Sequence, residues 1–158
     1  MSELPRDERG AAVQAEVGGQ PAPEPRTLLE TAARDFLFAE VWSRPRLDKR
    51  ARYLISLAAS TLNAAGDDLL DFYVRGALKS GELTLAELRE AALHLGGYGN
   101  LPRAMALDKA ISRAEQALGL PPAEITALSS DPEVLAARIP TGEAEDRKST
   151  RLNSSHRL

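Results

Sequence analysis

Twice in this chain a threonine stands three residues ahead of a glutamate at the head of an apolar stripe: Thr27 with Glu30, and Thr84 with Glu87. In that spacing the hydroxyl accepts the N–H of the third helical residue while the carboxylate returns to the threonine N–H. Two orphan donors of a helix start are thereby satisfied. Leu83 and Leu88 add the spacing of a hydrophobic staple around the second box. Apolar residues recur at helical intervals behind each start, and no run alternates with the period of a strand. The chain is therefore expected to be all-α.

Five helices can be placed. The first begins at Thr27 and carries Leu29, Ala32, Ala33, Phe36, Leu37 and Val41 as its stripe. It stops at Ser43-Arg44-Pro45, because a residue before proline avoids the helical region. Asp48 caps the second, whose expected buried face is Ala51, Leu54, Ile55, Ala58 and Leu62, and Gly66 ends it. The third runs from about Asp67 to Ser80 with Leu70, Tyr73, Val74, Ala77 and Leu78 inward, and Gly81 suits its C-terminal cap. The fourth follows Thr84 with Leu88, Ala91, Ala92 and Leu95, until Gly96-Gly97-Tyr98-Gly99-Asn100 breaks the pattern. The fifth has Pro102 in its first turn, repeats Ala104, Leu107, Ile111, Ala114 and Leu118, and closes at Gly119. Shorter helical pieces are expected through Leu128 and from Asp131 to Ala137.

Residues 1–26 hold three glycines and four prolines among charged side chains and read as a flexible leader, with a short helical piece conceivable around Ala11–Val17. The helical domain is placed at 27–139 and a disordered tail at 140–158. Within that tail RKSTRLNSSHRL, 147–158, has the look of translated linker sequence rather than evolved protein, so neither its basic residues nor His156 is read as a site.

Composition narrows the chemistry. Among 158 residues, 43% are apolar but only 4% aromatic, which suits close-packed helices. Twenty basic residues against twenty-three acidic ones leave a net charge of −3, without the basic patch that nucleic acid or anionic lipid would require. Nucleic acid and membranes are not expected partners, and the cytoplasm is the expected compartment. There is no cysteine at any position, which removes thiolate nucleophiles, disulfides and zinc–sulfur sites. No group of side chains has metal-ligand spacing, and no cofactor is expected. The glycines at 96, 97 and 99 follow a helix rather than a strand and lack the phosphate-loop ending.

Two blocks carry a resemblance: FAEVWSRPRLDKRARYLISLAA, Phe38 to Ala59, and YVRGALKSGELTLAELREAALHLGGYGNLPRAMAL, Tyr73 to Leu107. A tryptophan before Arg-Pro, an arginine-rich helix start, Ala-Leu-x-x-Gly, a Thr-capped Glu-rich helix and Tyr-x-x-x-Pro occur in that order. The chain resembles the carboxymuconolactone decarboxylase family, within the alkyl-hydroperoxidase-D-like group, over about half its length. The resemblance implies a compact all-helical domain of about six helices that self-associates as a trimer or hexamer. It also implies decarboxylase (lyase) chemistry on a small carboxylated lactone from aromatic-compound breakdown. Thiol-dependent relatives carry Cys-x-x-Cys with a histidine four positions on. If Tyr73 is at that histidine, the cysteine positions fall at Gly66 and Leu69, so thiol peroxidase activity is not expected. Tyr73 also replaces the histidine usual in the decarboxylase branch, and Asn100 replaces a glycine.

Without a thiol, acid–base and electrostatic chemistry is what remains. Glu90, His94 and Tyr98 are each four apart and share a helix face if the helix continues through Gly97. Glu90 would orient His94 for proton transfer, and Tyr98 would hold substrate or donate to a developing enolate. Tyr73 is the candidate by family position, although a phenol with its usual pKa of about 10 is a poor base at neutral pH. Arg52, chosen from the cluster Arg44, Arg46, Lys49, Arg50 and Arg52, and Arg103 are the candidate clamps for a carboxylate. The alternative is a non-catalytic oligomeric binding or scaffold protein that retains the fold, with these side chains dispersed in structural roles. Trp42, Phe36 and Phe38 are read as packing residues that cannot all face one way.

Overall fold

A computed structural model describes residues 4–124. Helix α1 spans Arg6–Gly18. Helix α2, Leu28–Ala32, runs directly into a π-helical segment, Ala33–Trp42. Helices α3, Lys49–Leu62, α4, Asp67–Lys79, α5, Leu85–Tyr98, and α6, Leu101–Leu118, complete the order. There is no strand among the described residues.

The helix starts follow their caps. Both Thr-x-x-Glu boxes close reciprocally, at Thr27/Glu30 and Thr84/Glu87. Asp48 accepts the N–H of Ala51 at 2.7 Å ahead of α3. Asn100, rather than a proline signal alone, caps α6 by accepting the N–H of Arg103. Gly19 and Gly119 end α1 and α6 in the left-handed region, each with its own N–H and the next returning to the last turn.

The leader is the main correction. Residues 6–18, expected to be flexible, form α1 within the same compact unit as the helices that follow. Helix α1 packs against the π segment and α4. Its glycines, read as chain breakers, permit close crossings instead. A Cβ on Gly10 would lie 2.4 Å from the Arg34 carbonyl oxygen, and one on Gly18 would lie 2.1 Å from the Phe72 ring. On the facing helix, a Cβ on Gly76 would lie 1.7 Å from the Val17 carbonyl oxygen. The C-terminal carbonyls of α1 are then taken by side chains from α3 and α4. The Tyr53 hydroxyl donates to Val17 at 3.0 Å, Arg75 to Gly18 at 3.0 Å, and Lys79 to Gly19 at 2.8 Å. Cationic donors at the negative end of a helix dipole are favourable.

Five aromatic side chains form the centre. Trp42 stacks on Tyr73 at 6.0 Å and meets Tyr53 edge-on at 5.1 Å, while Phe72 bridges Tyr73 and Phe38. Leu57, Leu70, Val74, Leu83, Leu88, Leu107 and Ile111 extend the core through the remaining helices.

Two expected faces are displaced. In the first helix Phe38, Ala39 and Trp42 are buried, whereas Leu29 and Phe36 are 80% and 61% exposed. The wider π winding, with bonds from i to i+5, advances the inward face beyond where a 3.6-residue period puts it. In α3 the buried residues are Arg52, Tyr53, Leu57, Ser60 and Thr61, and Ile55 and Leu62 face out. Arg52 and Tyr53 turn inward because their polar tips reach backbone carbonyls, so apolarity alone misjudges that face. The helical pieces expected after residue 124 and the tail at 140–158 lie outside the described residues.

Gly76→Ala is expected to lower stability by about 2–3 kcal/mol through overpacking at the α1–α4 crossing. Gly97→Ala, inside α5 with no atom within 4 Å of the new Cβ, is expected to raise it by about 0.5–1 kcal/mol. Urea unfolding of both variants checks the pair; equal effects would contradict the crossing geometry.

Candidate active site

Between α3 and α5 lies an open groove of about 700 Å³. Leu54, Leu57 and Ala58 line it from α3, Ala91, Leu93 and Leu95 from α5, and Leu107 from α6. Its titratable lining is Arg50, Glu87, Glu90 and His94. These side chains meet because positions 50, 54, 57 and 58 share one face of α3, while 87, 90, 91 and 94 share one face of α5.

Glu87 ties the groove to the helix start beneath it. One carboxylate oxygen accepts from the Thr84 N–H at 2.9 Å and the Thr84 hydroxyl at 3.0 Å; the other pairs with Arg50 at 3.0 Å. Burial alone would raise the Glu87 pKa, but the Arg50 and Thr84 hydrogen bonds outweigh it and hold the carboxyl below the ordinary carboxylate range. Arg50 also donates to the Glu82 carbonyl at 3.0 Å, which fixes the guanidinium across the α3–α5 gap.

Glu90, His94 and Tyr98 do lie along one side of α5, which continues through Gly97 to Tyr98. The His94 and Tyr98 rings touch, with centroids 4.6 Å apart at 33°. Tyr98 is 85% exposed and stands outside the groove lining that His94 and Glu90 share. No hydrogen bond joins Glu90 to His94 among the described residues; Tyr98 is the side chain that bears on the imidazole.

The other candidates are elsewhere, and none lines this groove. Tyr73 is buried in the aromatic centre, stacked on Trp42. Burial raises its pKa, so the phenol is a still poorer base than an exposed one. Arg52 is buried and donates to three backbone carbonyls: Val41 at 2.9 Å, Arg44 at 2.6 Å and Leu47 at 3.2 Å. It thereby holds the turn between the π segment and α3. Arg103 is half-buried on the inward side of α6, and its Nη1 is buried with no hydrogen-bond partner among the described residues. Arg50, passed over in favour of Arg52, is the arginine at the groove. Its signal was present: Arg50, Leu54, Leu57 and Ala58 recur at helical spacing. No group of three metal-capable side chains occurs among the described residues, and none of their helices is long and apolar enough to cross a membrane.

A family model for the carboxymuconolactone decarboxylase family matches residues 28–113. The chain belongs to the carboxymuconolactone decarboxylase family. It is also similar to a 4-carboxymuconolactone decarboxylase from Acinetobacter baylyi, with 32% identity over 90 residues. That alignment covers 57% of this chain and 66% of the relative, just under two thirds of the relative's length. The match to the family spans α2 through most of α6 and therefore includes both walls of the groove, whereas α1 precedes it.

The buried phenols make a pH prediction. Tyr53 is pushed up to about 12, mainly by burial, and Tyr73 is raised for the same reason. A raised folded-state pKa leaves their contribution fully present below the ordinary phenol value of about 10 and removes it as pH climbs through the folded value. Unfolding free energy is expected to hold up to about pH 10 and to fall between about 10 and 12. Tyr53→Phe should flatten that decline. A wild-type profile level to about pH 12 would contradict the burial of both phenols.

Proposed function

We propose that the α3–α5 groove is the active site and that the chain decarboxylates a small carboxylated lactone or related acid without thiol, metal or organic cofactor. The observation that carries this reading is that His94 and Glu90 line the 700 Å³ groove in the part of the chain that matches the family. In the proposed step, the C–C bond to the carboxylate breaks and its electron pair passes to the adjacent carbonyl as an enolate, with carbon dioxide departing. His94 then delivers a proton to the carbon and is reprotonated from water. Arg50 is the cation available to receive the carboxylate of the incoming substrate. Tyr98, against the imidazole, positions the ring. Tyr73 and Arg52 serve the scaffold in this reading.

His94→Asn is expected to lower kcat by about 10²–10⁴, the usual contribution of a positioned proton donor, with unchanged thermal stability. Tyr73→Phe should keep activity within about threefold of wild type. Carbon dioxide release from a panel of lactone carboxylates measures both. Full activity in His94→Asn would overturn the assignment.

Self-association is part of the same proposal. Ile55 and Leu62 on α3, Leu93 and Tyr98 on α5, and Leu101 and Met105 on α6 are large, apolar and exposed. Such side chains on adjacent elements favour burial against another copy of the chain, as a trimer or hexamer. Sedimentation should find an oligomer that Leu101→Lys with Met105→Lys dissociates; a wild-type monomer at micromolar concentration would contradict it.

A further inference from the structure

Arg50, the side chain assigned to the substrate carboxylate, already holds a carboxylate of its own chain. Its Nη2 pairs with Glu87 Oε1 at 3.0 Å, and its Nη1 donates to the Glu82 carbonyl at 3.0 Å. The two oxygens of Glu87 have separate duties. Oε2 accepts from the Thr84 N–H at 2.9 Å and the Thr84 hydroxyl at 3.0 Å, which completes the capping box, while Oε1 is engaged by Arg50. The cap therefore does not need the ion pair. The guanidinium keeps an anchor without it too, on the Glu82 carbonyl. The pair can open with both of its other attachments intact. Both side chains are about one third exposed, 32% for Arg50 and 34% for Glu87, and a pair in that setting is weak. A carboxylate entering the groove offers the guanidinium the same charge and the same acceptor geometry.

We infer that Glu87 is a built-in competitor for Arg50: its Oε1 stands where a substrate carboxylate binds and gives way when one enters. This rests on the groove's being the active site, and it names the residue that sets how tightly that site holds an acid. The exchange costs the ligand the broken pair and the repulsion of the displaced Glu87 oxygen, which stays close by because Oε2 remains on the cap. Only a ligand that carries a carboxylate meets this cost. A neutral lactone occupies the aliphatic walls and leaves the pair closed. Glu87 thus tunes acid binding through one oxygen and starts α5 through the other.

Two lactones and two variants test it. The chain has two histidines, His94 and His156, so the His94 imidazole signals can be followed by NMR titration and assigned by comparison with His94→Asn. The probes are γ-butyrolactone monocarboxylate and the neutral γ-nonalactone. Glu87→Gln keeps a side chain suited to the capping box and removes the charge that Arg50 holds. It is expected to tighten the monocarboxylate by about fivefold, the scale of one weak ion pair, and to leave γ-nonalactone within about twofold of wild type. Glu90→Gln removes an equal charge from the same lining, from a side chain with no bond to Arg50 among the described residues, and should change neither lactone by more than about twofold. Unchanged or weaker binding of the acid in Glu87→Gln overturns the competition and leaves the site standing. Equal tightening in both variants also overturns it, because the effect is then one of general charge. If neither lactone moves the His94 signals of the wild type, the groove is not the lactone site, and the inference falls with it.

Discussion

The helices of residues 4–124 are organised around a small number of aromatic rings. The chain has seven, and five of them, Phe38, Trp42, Tyr53, Phe72 and Tyr73, meet at one point where the π segment, α3 and α4 converge. In a sequence rich in alanine and leucine, such rings supply large buried areas that small side chains do not. The Tyr53 hydroxyl at their edge must be satisfied, and it reaches the last turn of α1 at Val17. The bond ties α1 to the centre, and the glycine at 76 lets the backbones come close enough to form it. Burial of Tyr53 and Tyr73 also raises the pKa of both phenols, which makes them poorer bases than exposed ones.

The groove arises on the other side of α3. Tyr53 faces the centre, while Arg50, Leu54, Leu57 and Ala58 line the gap toward α5. Helix α5 is positioned there by its own start: the Glu87 that closes the Thr84 box also pairs with Arg50. One carboxylate thus serves as helix cap, as link between two helices and as part of the groove lining. His94 is two turns farther along the same face. Beyond it α5 continues through two consecutive glycines before Gly99 stops it. Leu62 of α3 packs where a Cβ on Gly99 would lie, 2.5 Å from Leu62 Cδ2, so the end of α5 is fitted to the end of α3.

Much of the architecture was legible because its signals are local. Caps at Thr27, Asp48 and Thr84, and ends at Gly81 and Gly119, depend on a few neighbouring residues, and a family match over 28–113 agrees with the motif order. What escaped depends on distant partners. Gly10 and Gly18 look like helix breakers until the Arg34 carbonyl and the Phe72 ring that press on them are known, so α1 read as a flexible leader. A π segment has no sequence mark separate from that of an α-helix, so Phe36 was expected inside and lies outside. The candidate site divides in the same manner. Glu90, His94 and Tyr98 lie along one side of α5, as their spacing implied, but only Glu90 and His94 line the groove. Arg50 was missed in favour of Arg52 because choosing between them requires the positions of the Val41, Arg44 and Leu47 carbonyls, which take the Arg52 guanidinium.

The central claim is that chemistry takes place between α3 and α5, away from the aromatic centre. The most direct measurement is a crystal structure of the full chain soaked with a γ-butyrolactone monocarboxylate. The account predicts the lactone in the α3–α5 groove, with its carboxylate at Arg50 and its ring against His94. Ligand density seated instead on Tyr73 or Arg103, with the groove empty, would contradict it.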